Sequence, residues 1–529
     1  MTGSLAENRT GTDTGFVPLE KYRPKNQKPV IAFMNLYGYE SLAVRYLGAA
    51  VRKAGYRCLE IYFEDAKRNF FRYPERHELM PFVNLLRNEG VDIVGISVRS
   101  SYRKMAALLS EAIREELGIP VIWGSMHPTI CPEDSLESAD AVCVGDGEVA
   151  IVSLLKAMER GEGAGNISGI WLRREDGSIV DNGWAGWVDV NVTPDPEYNV
   201  PGKFHTRGGE VFPGDPMIKD PVLTVISARG CPHSCSFCSN PIFVESSKGF
   251  LRMRKVDNVI AEIKMAQRYM DVRRIKFYDE LFATNKKWTD EFVEKYRAEI
   301  NLPFDAFLHP HHVSEPLMQK LVSAGASIIS MGIESGSERM ANEVYGRGIS
   351  NERVLESIKV INRSGVTANY DLLIDNPLET PEDRKANFEF LYQIPRPFTL
   401  FIFSVAHLPG TALTKKLLDD GYITEDDVEG RNDHTLYQWE VSLTHNRPAE
   451  ERFWLALISL LTKDFIPKPF IKMLSKIGLL KMFPAPLIFF AWTANIVKLS
   501  LMVLKRLRLG TITFQEIRRH ANLRDIIVK

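Results

Sequence analysis

Along most of its length this chain repeats one unit: a short apolar run, a polar or glycine-containing cluster, then an amphipathic helix. Near the N-terminus the runs are Lys28–Met34, Val91–Ser97, Pro120–Trp123 and Ala141–Val144. The clusters that follow them are Tyr37-Gly38, Ser97-Val-Arg-Ser-Ser-Tyr102, Gly124-Ser-Met-His-Pro-Thr129 and Gly145-Asp-Gly-Glu148. From residue 222 the runs are Val222–Ser227, Arg274–Tyr278, Phe304–Leu308, Ser327–Met331, Thr367–Ile374 and Thr399–Phe403. Strands that alternate with helices assemble as parallel sheets. The pattern therefore predicts an α/β protein, with a doubly wound, flavodoxin-like sheet first and a partial (β/α)6 barrel second. Both architectures bind ligands at the carboxyl ends of their strands, where these clusters fall. A chain of 529 residues has room for both.

The cluster after Val222–Ser227 reads Cys231-Pro-His-Ser-Cys235-Ser-Phe-Cys238 and holds half of the six cysteines. Soft thiolates suit iron, and three of them can bind three corners of an iron–sulfur cluster, leaving the fourth iron for a small molecule. Zinc is the competing reading. It usually takes four ligands in two pairs, and only His233 is near enough to complete a local set. Cys58, Cys131 and Cys143 are scattered without a disulfide framework. With an open cluster, that predicts a reducing, cytoplasmic setting. No signal peptide is visible, and residues 1–28 are polar and read as a flexible tail.

The C-x3-C-x2-C spacing, with Phe237 before its last cysteine, resembles the radical S-adenosylmethionine (SAM) superfamily. The upstream sheet ahead of it resembles the cobalamin-binding domain of cobalamin-dependent radical SAM enzymes, class B methyltransferases among them. The resemblance implies a [4Fe–4S] cluster on Cys231, Cys235 and Cys238, with SAM and cobalamin as the other cofactors. It places Tyr278, Asp279 and Glu280 near the SAM ammonium, Glu334 and Ser335 at the ribose, and Phe237 and Asn376 at the adenine. Ser97, Gly124 and Ser125 would face the nucleotide tail of cobalamin, with Tyr37, Ser100, Tyr102, His127, Gly145 and Glu148 around the cofactor. Cobalamin domains that ligate cobalt through histidine carry Asp-x-His-x-x-Gly; the corresponding positions here are Asn35, Tyr37 and Glu40. Binding without histidine ligation follows, with Tyr37 as an alternative lower ligand. His309, His311 and His312 share one loop without distinctive zinc spacing, and their role stays open. A flavodoxin-like module with another ligand is the bland alternative for the first domain.

For function, the resemblance implies methyl transfer to an unactivated carbon through a 5′-deoxyadenosyl radical and methylcobalamin. A ring-forming or oxidative reaction on a lipid or tetrapyrrole, and a non-catalytic cobalamin protein, are the rivals. A flavodoxin or ferredoxin would supply electrons. The substrate, whether lipid, peptide residue or small molecule, stays open, and nothing points to nucleic acid. The boundaries expected are 29–160 for the cobalamin-binding domain, 161–220 for a linker with a β-hairpin, 221–425 for the barrel and 426–529 for a helical C-terminal domain. From Lys463 onward there are 13 Lys or Arg against 3 Asp or Glu. Leu487–Leu504 is mostly apolar, interrupted by Asn495 and Lys498 and followed by Lys505, Arg506 and Arg508. An 18-residue helix falls just short of a bilayer core. A cap on the barrel and a helix lying on a membrane are both open readings.

Overall fold

The computed structural model describes residues 16–64, 72–246, 251–432 and 447–508. They form two compact units, the first made of the residues up to Ile218 with the short stretch from Glu429, the second of Lys219–Val428 and the residues from 447 onward.

The first unit is built on a nine-stranded sheet. Its strands are β1 (Ile31–Leu36), β2 (Cys58–Phe63), β3 (Ile93–Ser97), β4 (Val121–Gly124), β5 (Ala141–Cys143), β6 (Ile170–Arg173), β7 (Ile179–Val180), β8 (Lys203–Arg207) and β9 (Glu210–Pro213). Their order is 7-6-5-4-3-1-2-8-9, with β8 through β5 parallel, β5–β6 and β6–β7 antiparallel at one edge, and β8–β9 antiparallel at the other. Strands covered on both faces read as continuous apolar runs. Thus Val94, Ile96 and Trp123 fill one layer, and Ile93, Ile122 and Ala141 the other.

Two strands escape the sequence pattern because charges interrupt them. Glu60 in β2 and Lys203 in β8 are both buried, and their charged atoms lie 3.1 Å apart. Lys203 Nζ also reaches Asp215 Oδ2 at 3.0 Å, and Asp215 accepts two bonds from the fully buried Arg45 at 2.6 and 2.8 Å. Burial works against the Asp215 carboxylate, but Arg45 and Lys203 hold its pKa well below the usual range. Pairing lets polar residues occupy an interior strand. The hairpin expected within the linker, residues 161–220, is β6–β7, while the rest of that stretch adds β8 and β9 to the sheet instead of running over the surface. The expected tail is also shorter. Val17 N donates to Asp140 Oδ1 at 2.7 Å and Lys25 N to Asp92 Oδ1 at 2.7 Å, which ties down residues 17–25; residues 1–15 lie outside the described chain.

The second unit carries six parallel strands in sequential order: β10 (Val222–Val225), β13 (Arg274–Phe277), β14 (Phe304–Phe307), β15 (Ala326–Glu334), β16 (Thr367–Ile374) and β17 (Thr399–Ser404). A short antiparallel pair, β11 (Ala228–Arg229) and β12 (Arg252–Met253), follows β10. Helices at Ala449–Leu461, Lys468–Leu474, Gly478–Met482 and Ala485–Arg508 complete this unit. The first of them buries Phe453, Trp454, Leu457 and Leu461, and Trp454 meets Phe388 at 5.6 Å. Prolines 467 and 484 precede two of the helix starts, as expected of a residue that interrupts one helix and opens the next.

Candidate active site

In the second unit the cysteine loop leaves the carboxyl end of β10 and is braced from its neighbours. Ser227 donates to Asp279 through its backbone N–H at 2.7 Å and through its hydroxyl at 3.1 Å. Gly230 N donates to Glu280 Oε2 at 3.3 Å. Ser236 N donates to Tyr345 O at 2.9 Å, and Leu413 N to Ser236 O at 2.9 Å. Burial pushes the Asp279 pKa up to about 7, against the N–H groups that favour its charged form. Asp279, placed by resemblance near the SAM ammonium, thus has its oxygens engaged by the start of the loop. Tyr278 is half exposed, with the Lys276 ammonium 4.9 Å from its ring centre. Glu280 is the acidic side chain of this group that faces the cysteines electrostatically.

All three cysteines are free thiols. Burial raises their pKa values, that of Cys238 to about 11, and Cys238 senses both Cys235 and Cys231. Asn240 N–H points at Cys238 Sγ at 3.5 Å, and the His233 backbone N–H at Cys231. Among the described residues no three His, Cys, Asp or Glu side chains converge as a single-ion cage. Separate thiolates on one loop, each with N–H donors nearby, are a donor set suited to a multi-iron cluster.

Facing chemistry comes from β15. A register shift between Gly332 and Glu334, with Glu334 at φ +63°, turns that side chain at the strand end. Arg347 Nη1 donates to Glu334 Oε1 at 2.9 Å, and Nη2 to Gly332 O at 2.9 Å while lying 3.4 Å from His309 Nε2. A Cβ at Gly332 would fall 2.0 Å from Glu334 Oε1, so only glycine leaves room for this carboxylate. Burial raises the Glu334 pKa and Arg347 opposes it. Burial, then Arg347, pull the His309 pKa down to about 2, leaving a neutral ring. His233 stacks on His309 at 3.8 Å between centroids, and His311 on His309 at 5.1 Å. The histidine loop therefore packs directly on the cysteine loop.

Ser335 ties its loop to the helix Pro381–Gln393, and Asn376 braces its own loop. Ser335 Oγ donates to Asn387 Oδ1 at 3.0 Å, and Asn376 Oδ1 accepts from Leu378 N at 2.9 Å. Phe237 packs edge-on against Tyr345 at 5.2 Å. Arg347 is the participant missed in the sequence. Its signal was present in Gly346-Arg347-Gly348, where both glycines take positive φ, of 66° and 60°, to turn the guanidinium inward.

In the first unit, register aligns Asn35 with Ser97 and Ser97 with Gly124, which gathers the clusters at the carboxyl ends of β1, β3 and β4. Tyr37, at φ +58°, packs edge-on against both Phe63 (5.8 Å) and Tyr102 (5.2 Å). Ser125 takes φ +86°, and Gly145 takes φ +101°, where an added Cβ would lie 2.9 Å from Trp184 Nε1. Glu148 is buried. Ser100 Oγ lies 3.1 Å from His127 Nδ1, whose Nε2 lies 2.8 Å from Asp134 Oδ2; Arg103 pairs with the same carboxylate. Burial opposes it, but His127 and Arg103 hold the Asp134 pKa low. Ionised Asp134 can only accept, so His127 donates to it through Nε2. A small-residue ledge at Gly124-Ser125 with a polarised hydroxyl beside it fits the polar tail of a large cofactor.

The comparisons with known proteins agree on both halves. The Radical SAM superfamily profile matches residues 225–391, and the B12 binding domain profile matches residues 36–155. This chain is a cobalamin-dependent radical SAM enzyme. Its cofactors are a [4Fe–4S] cluster, SAM and cobalamin. An uncharacterized methyltransferase of Pyrococcus horikoshii is 26% identical over 61% of this chain and 68% of its own length. The bacteriochlorophyllide d C-8(2)-methyltransferase of Chlorobaculum tepidum is 23% identical over 64% and 71%. The anaerobic magnesium-protoporphyrin IX monomethyl ester cyclase of Rubrivivax gelatinosus is 22% identical over 65% and 60%. The solved structure of the radical SAM methyltransferase TsrM from Kitasatospora setae superposes with a TM-score of 0.60 at 16% identity, covering 74% of this chain and 76% of that one. It shares the fold.

Proposed function

We propose that this enzyme transfers a methyl group to a carbon of its substrate. The observation that carries the reading is the cysteine loop packed on the His309 loop beside Glu334, in a chain whose cobalamin domain has Tyr37 where a histidine ligand would stand. Cys231, Cys235 and Cys238 would hold the cluster, and Glu334 would accept hydrogen bonds from the SAM ribose, its free oxygen presented by Arg347. Ser97, Ser100, Gly124 and Ser125 would seat the cobalamin tail. When bound, the cluster and SAM supply a radical and cobalamin supplies the methyl group. The protein's part is to fix these groups and to keep water from the site. Methyltransferases among the relatives support this reading. A reductant is required, and a flavodoxin or ferredoxin in a reducing cytoplasm fits a chain whose six cysteines form no disulfide.

The test is incubation of the reconstituted enzyme with reductant, SAM and extracts of a cobalamin-replete host. Methyl transfer yields both 5′-deoxyadenosine and S-adenosylhomocysteine, with one molecule gaining the mass of a methyl group. A modified product without S-adenosylhomocysteine would move the enzyme to the ring-forming or oxidative class. Cys235→Ala should lose the iron and the SAM cleavage while still binding cobalamin.

A further inference from the structure

Ala485–Leu504 is the one segment among the described residues long and apolar enough to cross a bilayer, yet only 17% of it is buried. Its inner face settles how it is held. Leu487, Ala491 and Ala494 are buried, Asn495 Nδ2 reaches Ser459 Oγ at 3.3 Å, and Lys498 Nζ donates to Thr462 O at 2.8 Å. The two polar side chains that interrupt the apolar run are thus engaged by the helix Ala449–Leu461. What remains outward is greasy. Met482, Phe483, Phe489, Trp492, Ile496 and Leu501 are between 43% and 68% exposed. The Phe470 ring meets Phe490 at 6.3 Å, which joins the preceding helices to the same patch. Exposed apolar surface on this scale marks an interaction site rather than ordinary surface.

Charge identifies the occupant. Residues 463–529 carry 13 Lys or Arg against 3 Asp or Glu, whereas the rest of the chain carries 53 against 64. Seven of those basic residues, against two acidic ones, lie in residues 505–529, which start at the end of the apolar helix. We propose that this face docks the enzyme on an anionic phospholipid bilayer, with the helix lying in the interface plane. Aromatic side chains on an apolar face beside basic residues are the composition of an interfacial helix. A spanning helix would have to strip Lys498 and Asn495 from their partners and carry them into hydrocarbon.

The test floats the full-length chain with phosphatidylcholine vesicles, with and without phosphatidylglycerol. Binding should need phosphatidylglycerol, weaken in about 0.5 M salt and be released by alkaline carbonate. Phe489→Asp/Trp492→Asp should cut the bound fraction at least about tenfold, with an unchanged thermal melt and cobalamin absorbance. Met482→Asp/Phe483→Asp, on the preceding helix, should act in the same direction. Equal flotation of wild type and both variants, or no flotation with anionic vesicles, overturns the proposal. So does resistance to carbonate, which means a span. A wild-type dimer lost in the variants without any vesicle binding makes the face a contact between copies instead. Vesicle binding is read without turnover, so this outcome is separate from that of the methyl-transfer assay.

Discussion

At the scale of single residues, Arg347 and Glu334 decide how the strand-end carboxylate is presented. The pair is nearly enclosed, with side-chain exposures of 3% and 15%. Arg347→Met leaves a carboxylate without its cation and should destabilise the protein by about 3–5 kcal/mol, read by urea unfolding. Adding Glu334→Gln should recover more than half of that loss, because the uncompensated charge is gone. In the first unit the chain Ser100–His127–Asp134 behaves as one device. Ser100→Ala and His127→Leu should each weaken cobalamin binding by about tenfold, the worth of roughly one hydrogen bond of 1–1.5 kcal/mol. The double variant should cost little more than either alone, as absorbance titration would show.

Elements add a second layer, clearest where the loop after β16 meets the helix Ala449–Leu461. A small pocket there is lined by Asp375, Glu379, Arg384, Asn387 and Glu451 with apolar partners that include Trp454, Leu455 and Ile458 of the helix. Burial, with Asp375, Asp383 and Glu451 adding to it and Arg384 opposing, pushes the Glu379 pKa up to about 8. The folded chain then holds a proton that the unfolded chain releases near pH 4.5. Its contribution is complete below that value and is lost as pH rises toward 8. Glu379→Gln keeps an acceptor for Asn387 Nδ2, now 2.8 Å from Glu379 Oε1, and removes the titration. The variant should gain on the order of 1–2 kcal/mol over wild type at pH 8.5 and nothing at pH 5, read as the urea midpoint at each pH.

For the whole molecule, the decisive feature is the buried charge network of Arg45, Glu60, Lys203 and Asp215 in the first unit. It stitches β8 and the segment after β9 to the helix Leu42–Lys53 and to β2. Asp215→Asn should cost the first unit about 3–5 kcal/mol. Hydrogen exchange would show faster exchange in β1, β2 and β8, and unchanged protection in β13 to β16. This network is also why the sheet extends beyond what hydropathy shows. Glu60 and Lys203 break the apolar pattern that a buried strand normally displays, so neither β2 nor β8 could be read from periodicity.

Both sheets and their strand-end clusters were legible because burial on two faces forces continuous apolar runs, and parallel connection forces helices between them. The cysteine spacing by itself narrowed the chemistry to a metal site, since three soft ligands lie within eight residues, and the family resemblance made it an iron–sulfur cluster. Tertiary structure decided what depends on distant partners. It engaged Asp279 and Ser335 in bracing loops, brought Arg347 to Glu334 and charges into pairs across the first sheet, and turned the apolar side of the last helix outward. Hydrogen bonding and charge pairing act between residues far apart in the chain, and linear order carries no record of that distance.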